Sequence, residues 1–493
     1  MRITNKMMTN NALYNINNNK NLMNKLEQQY ATGKKITRPS DDPIVAVRAL
    51  KFRTNLSELN QYYERNIPDA FSWMDVTESA LKSVNEIITK MNTYCNQGAN
   101  DYPTAEDRNS IVTNLKQLKE QLYQEGNTNY AGRYVFSGYK TDTPLVFNEA
   151  TDSLQYTIDE PLSGESIGII SKVIGEIDLD SFDKNNPAAW NDAMPTKIEA
   201  YRLNLSYGDL DPKNIAFSYK DKDGNPGAAI PVNTVSVTAA GAYQPAADEI
   251  NFIPETGELI IGNDLYDTIR TASEINVTYD KSSFRQNDLR PEHYFNCTKL
   301  DTSDPAAKTI HYTKEDQQMQ YEVNFNQKLT INTQGSEAFT TGIARMIDEV
   351  LETVNAVKEV EDSMAEVDKM LEDTTLTSDQ RETLEGIKEQ LNSEFTLKTA
   401  LMTEAFQRGI TTTENEQEII NIAAADLGGR YKRLQLTDSR LSDQQVDFED
   451  LLSKNEDADL VDTIIKYSAA QTVYNSSLSA ASKLVQTSLL DFL

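Results

Sequence analysis

Residues 52–94, FRTNLSELNQYYERNIPDAFSWMDVTESALKSVNEIITKMNTY, carry an apolar ladder that steps alternately four and three residues. Its rungs are Phe52, Leu56, Leu59, Tyr63, Asn66, Ala70, Trp73, Thr77, Ala80, Val84, Ile87, Met91 and Tyr94. A period of 3.5 holds every rung on one seam of a helix, and such a seam must be buried against another helix. At about 1.5 Å rise per residue the ladder spans roughly 60 Å, longer than a small domain is wide. A second ladder reads Phe339, Ile343, Met346, Val350, Thr353, Val357, Val360, Met364, Val367, Leu371. A third reads Leu460, Ile464, Tyr467, Gln471, Tyr474, Leu478, Ala481, Val485, and the middle of the chain has none. The pattern predicts an α+β protein whose long N- and C-terminal helices pair as an antiparallel coiled-coil rod, 52–94 against 339–371. A β-rich domain is inserted between them. Rods built from both ends of a chain serve assembly rather than catalysis.

The 493 residues could hold two to four domains. The 39% apolar share lies below the roughly 45–50% of ordinary globular domains, as suits an elongated molecule or one that leaves seams for partners. A net charge of −29 argues against nucleic acid or an anionic membrane as partner, since both require a basic surface. No stretch approaches the ~18 apolar residues of a membrane helix, and residues 1–8 lack the apolar core of a secretory signal. Cys95 and Cys297 fall in unlike regions and read as free thiols.

Residues 1–30 are rich in asparagine, a poor helix former, so the weak ladder Ala12, Ile16, Asn19, Met23, Leu26, Tyr30 predicts a helix that forms only when docked. The Ser- and Ala-rich segment 457–493 looks like its partner. Between Gly33 and Pro39 the chain breaks, and Asp42 with Pro43 starts the next helix: the carboxylate caps free N–H groups, and proline lacks the one that would be unpaired. Pro68 should kink or interrupt the long ladder. Ile111, Leu115, Leu118 and Leu122 give a shorter helix ending near Gly126. Tyr134–Tyr139 and Pro144–Phe147 then read as a hairpin across a polar turn. From about 150 to 333 the chain is short strands and turns, among them Leu154/Tyr156/Ile158, Phe252-Ile253 with Leu259–Ile261, and Ile275/Val277/Tyr279.

Catalytic chemistry has little footing. Two histidines, His293 and His311, cannot build a zinc helix of the His-Glu-x-x-His type, and His293 with Cys297 falls short of the three or four ligands a zinc site needs. No phosphate-cradling glycine loop is present. Asp221, Asp223 and Asn225 alternate as in a calcium loop, yet Pro226 stands where such a loop needs glycine, so a hairpin turn is the better reading. No cofactor and no metal are expected, and no enzyme.

Several stretches resemble the flagellin superfamily, and within it the hook–filament junction (third hook-associated) proteins. They are the opening Met1–Asn5, the segment Ala31–Leu50 with its Ser40-Asp41-Asp42-Pro43 start, and Tyr134–Phe147 with Phe136-Ser137-Gly138. At the other end they are Leu427-Gly428-Gly429-Arg430, Asp457–Leu460 and Ser488–Leu493. The likeness is close over 1–148 and 420–493, looser over 336–419 and absent between. It implies a non-enzymatic adaptor exported through the flagellar type III apparatus without a cleaved signal, with an export chaperone, and located outside the cell. Its expected partners are copies of itself, other hook-associated proteins and flagellin. The residues alone also permit a filament-forming flagellin with an enlarged surface domain, or an appendage displaying a secreted enzyme or glycan-binding domain at 150–333.

The expected domains are 1–40 with 455–493 (terminal helices, inner tube), 41–140 with 336–454 (long-helix rod including the 130–147 hairpin), and 141–335 (β-rich outer insertion). Interaction with other subunits is expected at Ile16, Met23, Leu26, Tyr30, Leu460, Ile464, Tyr467, Tyr474, Leu478 and Val485, because a lone pair of such helices leaves much of its seam exposed. Asp42 and Pro43 are a structural cap.

Overall fold

The computed structural model describes residues 5–100, 104–184, 186–303 and 306–490, with the side chains of residues 5 and 484–490 outside the description. Helices α1 (Asn5–Thr32), α2 (Pro43–Gln61), α3 (Ile67–Asn100) and α4 (Ala105–Glu125) come first. The two-residue strands β1 (Asn129–Tyr130) and β2 (Arg133–Tyr134) precede β3 (Leu154–Leu162), β4 (Gly168–Ile174), β5 (Thr196–Asn204), β6 (Ala216–Lys220), β7 (Val232–Thr234), β8 (Ile250–Ile253) and β9 (Glu258–Ile261). After the short α5 (Tyr266–Arg270) follow β10 (Glu274–Lys281), β11 (Asn296–Asp301), β12 (Ile310–Tyr312), β13 (Gln320–Asn324) and β14 (Gln327–Thr330). The chain closes with α6 (Gly342–Leu371), α7 (Ser378–Glu456) and α8 (Leu460–Leu490). Long helices at both ends with a β-rich block between are therefore the fold. Two compact units are distinguished, one of residues 1–70, 321–329 and 432–493, the other of 71–320 and 330–431.

In the first unit α1 lies along α8, and α2 runs antiparallel to the last part of α7. Asn455 Nδ2 donates to the Val45 carbonyl at 3.1 Å and Gln445 Nε2 to Asn60 Oδ1 at 3.1 Å. The two connections between these helices are stitched together: Lys35 N donates to Glu456 O (2.7 Å) and Ala458 N to Gly33 O (2.8 Å). Lys34 Nζ meets Asp457 at 2.5 Å, and the Arg53 guanidinium is paired with the buried Glu456 carboxylate. Gly33 sits at φ +69°, where only glycine is free of strain. Pro68 does not interrupt the helix. A π-turn over Tyr62–Asn66, closed by Ile67 N–H to Tyr62 O, absorbs the missing donor and the ring one turn upstream.

In the second unit the rungs from Trp73 to Met91 are at most 3% exposed, so the first ladder is indeed the buried stripe. Its partners include a helix beyond the expected 339–371. Residues of α3 run antiparallel to α7: the Phe71 and Tyr431 rings stand 5.0 Å apart, Asn92 Nδ2 donates to Thr413 Oγ1 (2.9 Å), and Gly98 faces the Phe406 ring. Two glycines admit this contact. A Cβ on Gly98 would stand 2.5 Å from the Phe406 ring and one on Gly409 2.9 Å from Cys95 Sγ, so these helices approach more closely than full side chains allow. α6 takes α4, with Arg108–Glu361 at 2.5 Å and Lys119–Asp348 at 3.2 Å. It also shares an apolar cluster (Val360, Val367, Leu384, Ile387, Leu391) with the start of α7.

The β block is a sandwich. One sheet has the order β12-β11-β3-β10-β6, antiparallel throughout; the other, β4-β5-β9-β8-β7, is antiparallel except for β7 beside β8. Their inner faces share one core containing Tyr156, Ile158, Leu203, Phe252, Leu259, Val277 and Tyr279. The expected hairpin over 134–147 is not one. Only β1 and β2 pair across Ala131-Gly132, and residues 135–147 are turns whose Val135, Phe136, Leu145, Val146 and Phe147 are buried. Residues 134–143 close turns on themselves, with Tyr134 N donating to Thr141 O at 2.8 Å and Lys140 N to Ser137 O at 3.2 Å, while Val146 bridges to Leu289.

Candidate assembly surface

The seam joining α1 to α8 is narrow. On α1 it consists of Ile16 and Leu26, both buried, with half-buried Asn19 and Met23; Tyr30 stays 51% exposed. On α8 it runs Thr463, Tyr467, Ala470, Tyr474, Ser477, Ala481, all buried or half-buried. This keeps the 3.5 period but replaces Ile464, Gln471 and Leu478 by their preceding neighbours. The substitutes Thr463, Ala470 and Ser477 are small, which lets α1 come close enough for Asn19 Nδ2 to donate to Ser477 Oγ at 3.1 Å. Val485 lies outside the described side chains.

Among the described side chains, the large apolar residues off this seam are exposed. On α8, Leu460, Val461, Ile464, Ile465, Val473 and Leu478 are 42–70% exposed; on α1, Met7, Leu13, Tyr14 and Leu22 are 51–67% exposed. At 100° per residue, Val461 and Ile465 point away from the α1 seam, Leu460, Ile464 and Leu478 flank one side, and Val473 the other. A helix apolar on every side is one that is surrounded. The ladder alone finds Leu460, Ile464 and Leu478; it misses Val461, Ile465 and Val473, which are visible only when all faces are read.

Asp42 Oδ1 accepts from Ile44 N (3.0 Å) and Val45 N (3.2 Å), with Pro43 opening α2. Just before it, Asp41 Oδ2 accepts from Arg38 N and Thr37 N, which holds its carboxyl below the usual range. The bend between α1 and α2 is thus fixed by two adjacent carboxylates.

The other concavities are structural. His293 is half-buried, its Nε2 3.2 Å from Pro144 O, and desolvation pushes its pKa down to about 4. Cys297 and Cys95 are both buried free thiols, raised to about 12 by desolvation. Asp221 folds its carboxylate back onto the N–H groups of Asp223 and Asn225, both at 2.9 Å, which makes the loop a self-capped turn. No cluster of three metal-ligating side chains occurs among the described residues. No helix of the described residues is long and apolar enough to cross a membrane. A charged cavity of about 260 Å³ lies where the sandwich meets α6. Its ions neutralise one another: Arg202 meets Glu258 at 2.8 Å and Glu349 at 3.4 Å, and Arg408 meets Glu349 at 2.6 Å.

Comparison with known proteins places one match at the N-terminal side of the chain. Residues 3–141 match the family described as the bacterial flagellin N-terminal helical region. Flagellar hook-associated protein 3 of Salmonella typhimurium is 34% identical over 154 residues, covering 31% of this chain and 47% of that protein. A flagellin of Clostridium tyrobutyricum is 33% identical over 128 residues, 26% of this chain and 34% of that one. The chain thus spans about half the length, or less, of these relatives. Among solved structures, a putative flagellar hook-associated protein of Vibrio parahaemolyticus aligns over 85% of this chain and 100% of its own, at 12% identity and a TM-score of 0.37. Over residues 3–141, this chain is similar to the N-terminal helical region of bacterial flagellins.

Proposed function

We propose that this protein is a structural adaptor of the bacterial flagellum that joins hook to filament, assembling through α1 and α8 into a ring or tube at the distal end of the hook. The observation that carries the reading is the all-round apolarity of α8: α1 covers one side, and the remaining apolar residues require neighbouring subunits. In this reading residues 1–40 with 455–493 form the inner layer, 41–140 with 336–454 the next, and 141–335 the outer surface. Ile16, Met23, Leu26, Tyr467 and Tyr474 hold the terminal pair together, and Tyr30, Leu460, Ile464 and Leu478 contact neighbours, a role we extend to Val485. The partners are further copies, other hook-associated proteins and flagellin. The chain acts without catalysis, leaves the cell through the flagellar export apparatus unfolded, and has its terminal helices guarded by a chaperone beforehand.

Deleting the gene should leave hooks without filaments and flagellin spilled into the medium. Normal filaments on the deleted strain would overturn the reading. A filament-forming flagellin, the other member of the same set of relatives, is separated by abundance: it would dominate sheared filaments, whereas an adaptor is a trace at their bases.

A further inference from the structure

The charge of this acidic chain is unevenly placed. Residues 1–54 hold ten Lys or Arg and three acids, whereas 55–493 hold 37 against 73. Residues 438–462 carry nine acids and two bases. Of these, Arg48, Lys51 and Arg53 stand on α2, and Asp438, Asp443, Asp447, Glu449, Asp450 and Glu456 on the last part of α7, both in the first unit. On α2, Ile44, Val47, Arg48 and Lys51 are all exposed and fall at i, i+3, i+4 and i+7, one face of the helix. On α7, Asp443, Val446, Asp447 and Asp450 are exposed at the same spacing. Ile44, Val47 and Val446 are 68%, 54% and 64% exposed, too apolar for a solvated face. Among the described residues Arg48, Lys51, Asp443 and Asp447 make no ion pair, although α2 and α7 lie side by side, and Asp450 pairs only with its neighbour Lys454 at 2.5 Å.

Resting on the assembly reading above, we infer that these two stripes are the halves of a contact between copies: the basic–apolar face of α2 on one chain seats on the acidic–apolar face of α7 on the next. Each helix offers valine at the matching position with charges of opposite sign around it, so the occupant is a second copy of this chain. The two faces differ, so the contact is heterologous. Such contacts propagate head to tail and close into a ring, or wind into a helix, instead of stopping at a dimer. Charge complementarity then sets register and rejects a shifted neighbour, because like charges brought together are costly.

The test uses cells whose only copy is the full-length variant. R48E/K51E and D443K/D447K, expressed singly, should each reduce filament-bearing hooks about tenfold or more, since each places like charges across the contact. Co-expressing both variants, or combining all four changes in one chain, should restore filaments, because opposite charges again face each other. That rescue also shows that the variants fold. A V47C/V446C chain, oxidised with diamide on isolated flagella, should give a ladder of two, three and more linked copies; the native thiols are buried. Single variants with normal filaments, loss without rescue, or cross-linking that halts at pairs would each overturn this contact. The deletion phenotype stays with the assembly reading, so the two can fail separately.

Discussion

Replacing Ile465 by glutamate separates the assembly surface from the fold. The side chain is 63% exposed and lies on the side of α8 away from α1. In the isolated chain, such a surface change away from packing contacts should stay within about ±0.5 kcal/mol. Burying the exposed share of an isoleucine against a neighbour is worth roughly 1–2 kcal/mol, from the 1.5–3 kcal/mol of a full burial. A carboxylate in its place adds a desolvation cost of several kcal/mol. The difference, at least about 4 kcal/mol per subunit, is close to a thousandfold in affinity. Purified I465E should therefore melt within a few degrees of the parent, while cells carrying it should lack filaments. Ala470→Glu is the contrast: Ala470 is 7% exposed in the α1 seam, so that variant should lower the melting temperature itself. Filaments in normal numbers on I465E cells would refute the claim that the outward face of α8 is covered, as would a monomer melting far below the parent.

Two further outcomes follow from the interior and the cap. Burial pushes Glu258 and Glu349 up, but Arg202, joined by Lys172 beside Glu258 and by Arg408 beside Glu349, more than reverses this and holds both below their ordinary 4.5, so their stabilisation is present above that pH and lost as pH falls through the lower folded values. Arg202→Met should therefore cost about 3–5 kcal/mol at pH 7 and progressively less below pH 4.5, as read by urea unfolding at both pH values; a pH-independent penalty would count against the network. Asp42→Ala should cost about 1 kcal/mol and speed amide exchange at Ile44 and Val45, and unchanged exchange there would remove Asp42 from its capping role.

Much of the fold is legible in the residues themselves. Rungs spaced by 3.5 dictate a buried stripe wherever they occur, and from Ala70 to Met91 every rung of the first ladder is buried. The Asp-Pro start of α2 and the alternating strands β3 and β10 are equally local, because caps and pleats are set by neighbouring residues. The candidate surface is half legible: a ladder names one face of α8, and α8 has apolar residues on all of them.

Sequence by itself settled that both ends are helical and that the middle is strand. Tertiary structure alone decided which helix each seam meets. The turn at 372–377 sends α7 back, and at Gly98 and Gly409 it lies against α3 with no room for a further carbon, a fit of shapes that no periodicity records. It also decided that residues 145–147 lie along 287–290, since Phe147 N donates to Asp288 O and Arg290 N to Leu145 O, more than a hundred residues away. Period and capping are properties of adjacent residues; the choice between partners depends on volume and distance in three dimensions.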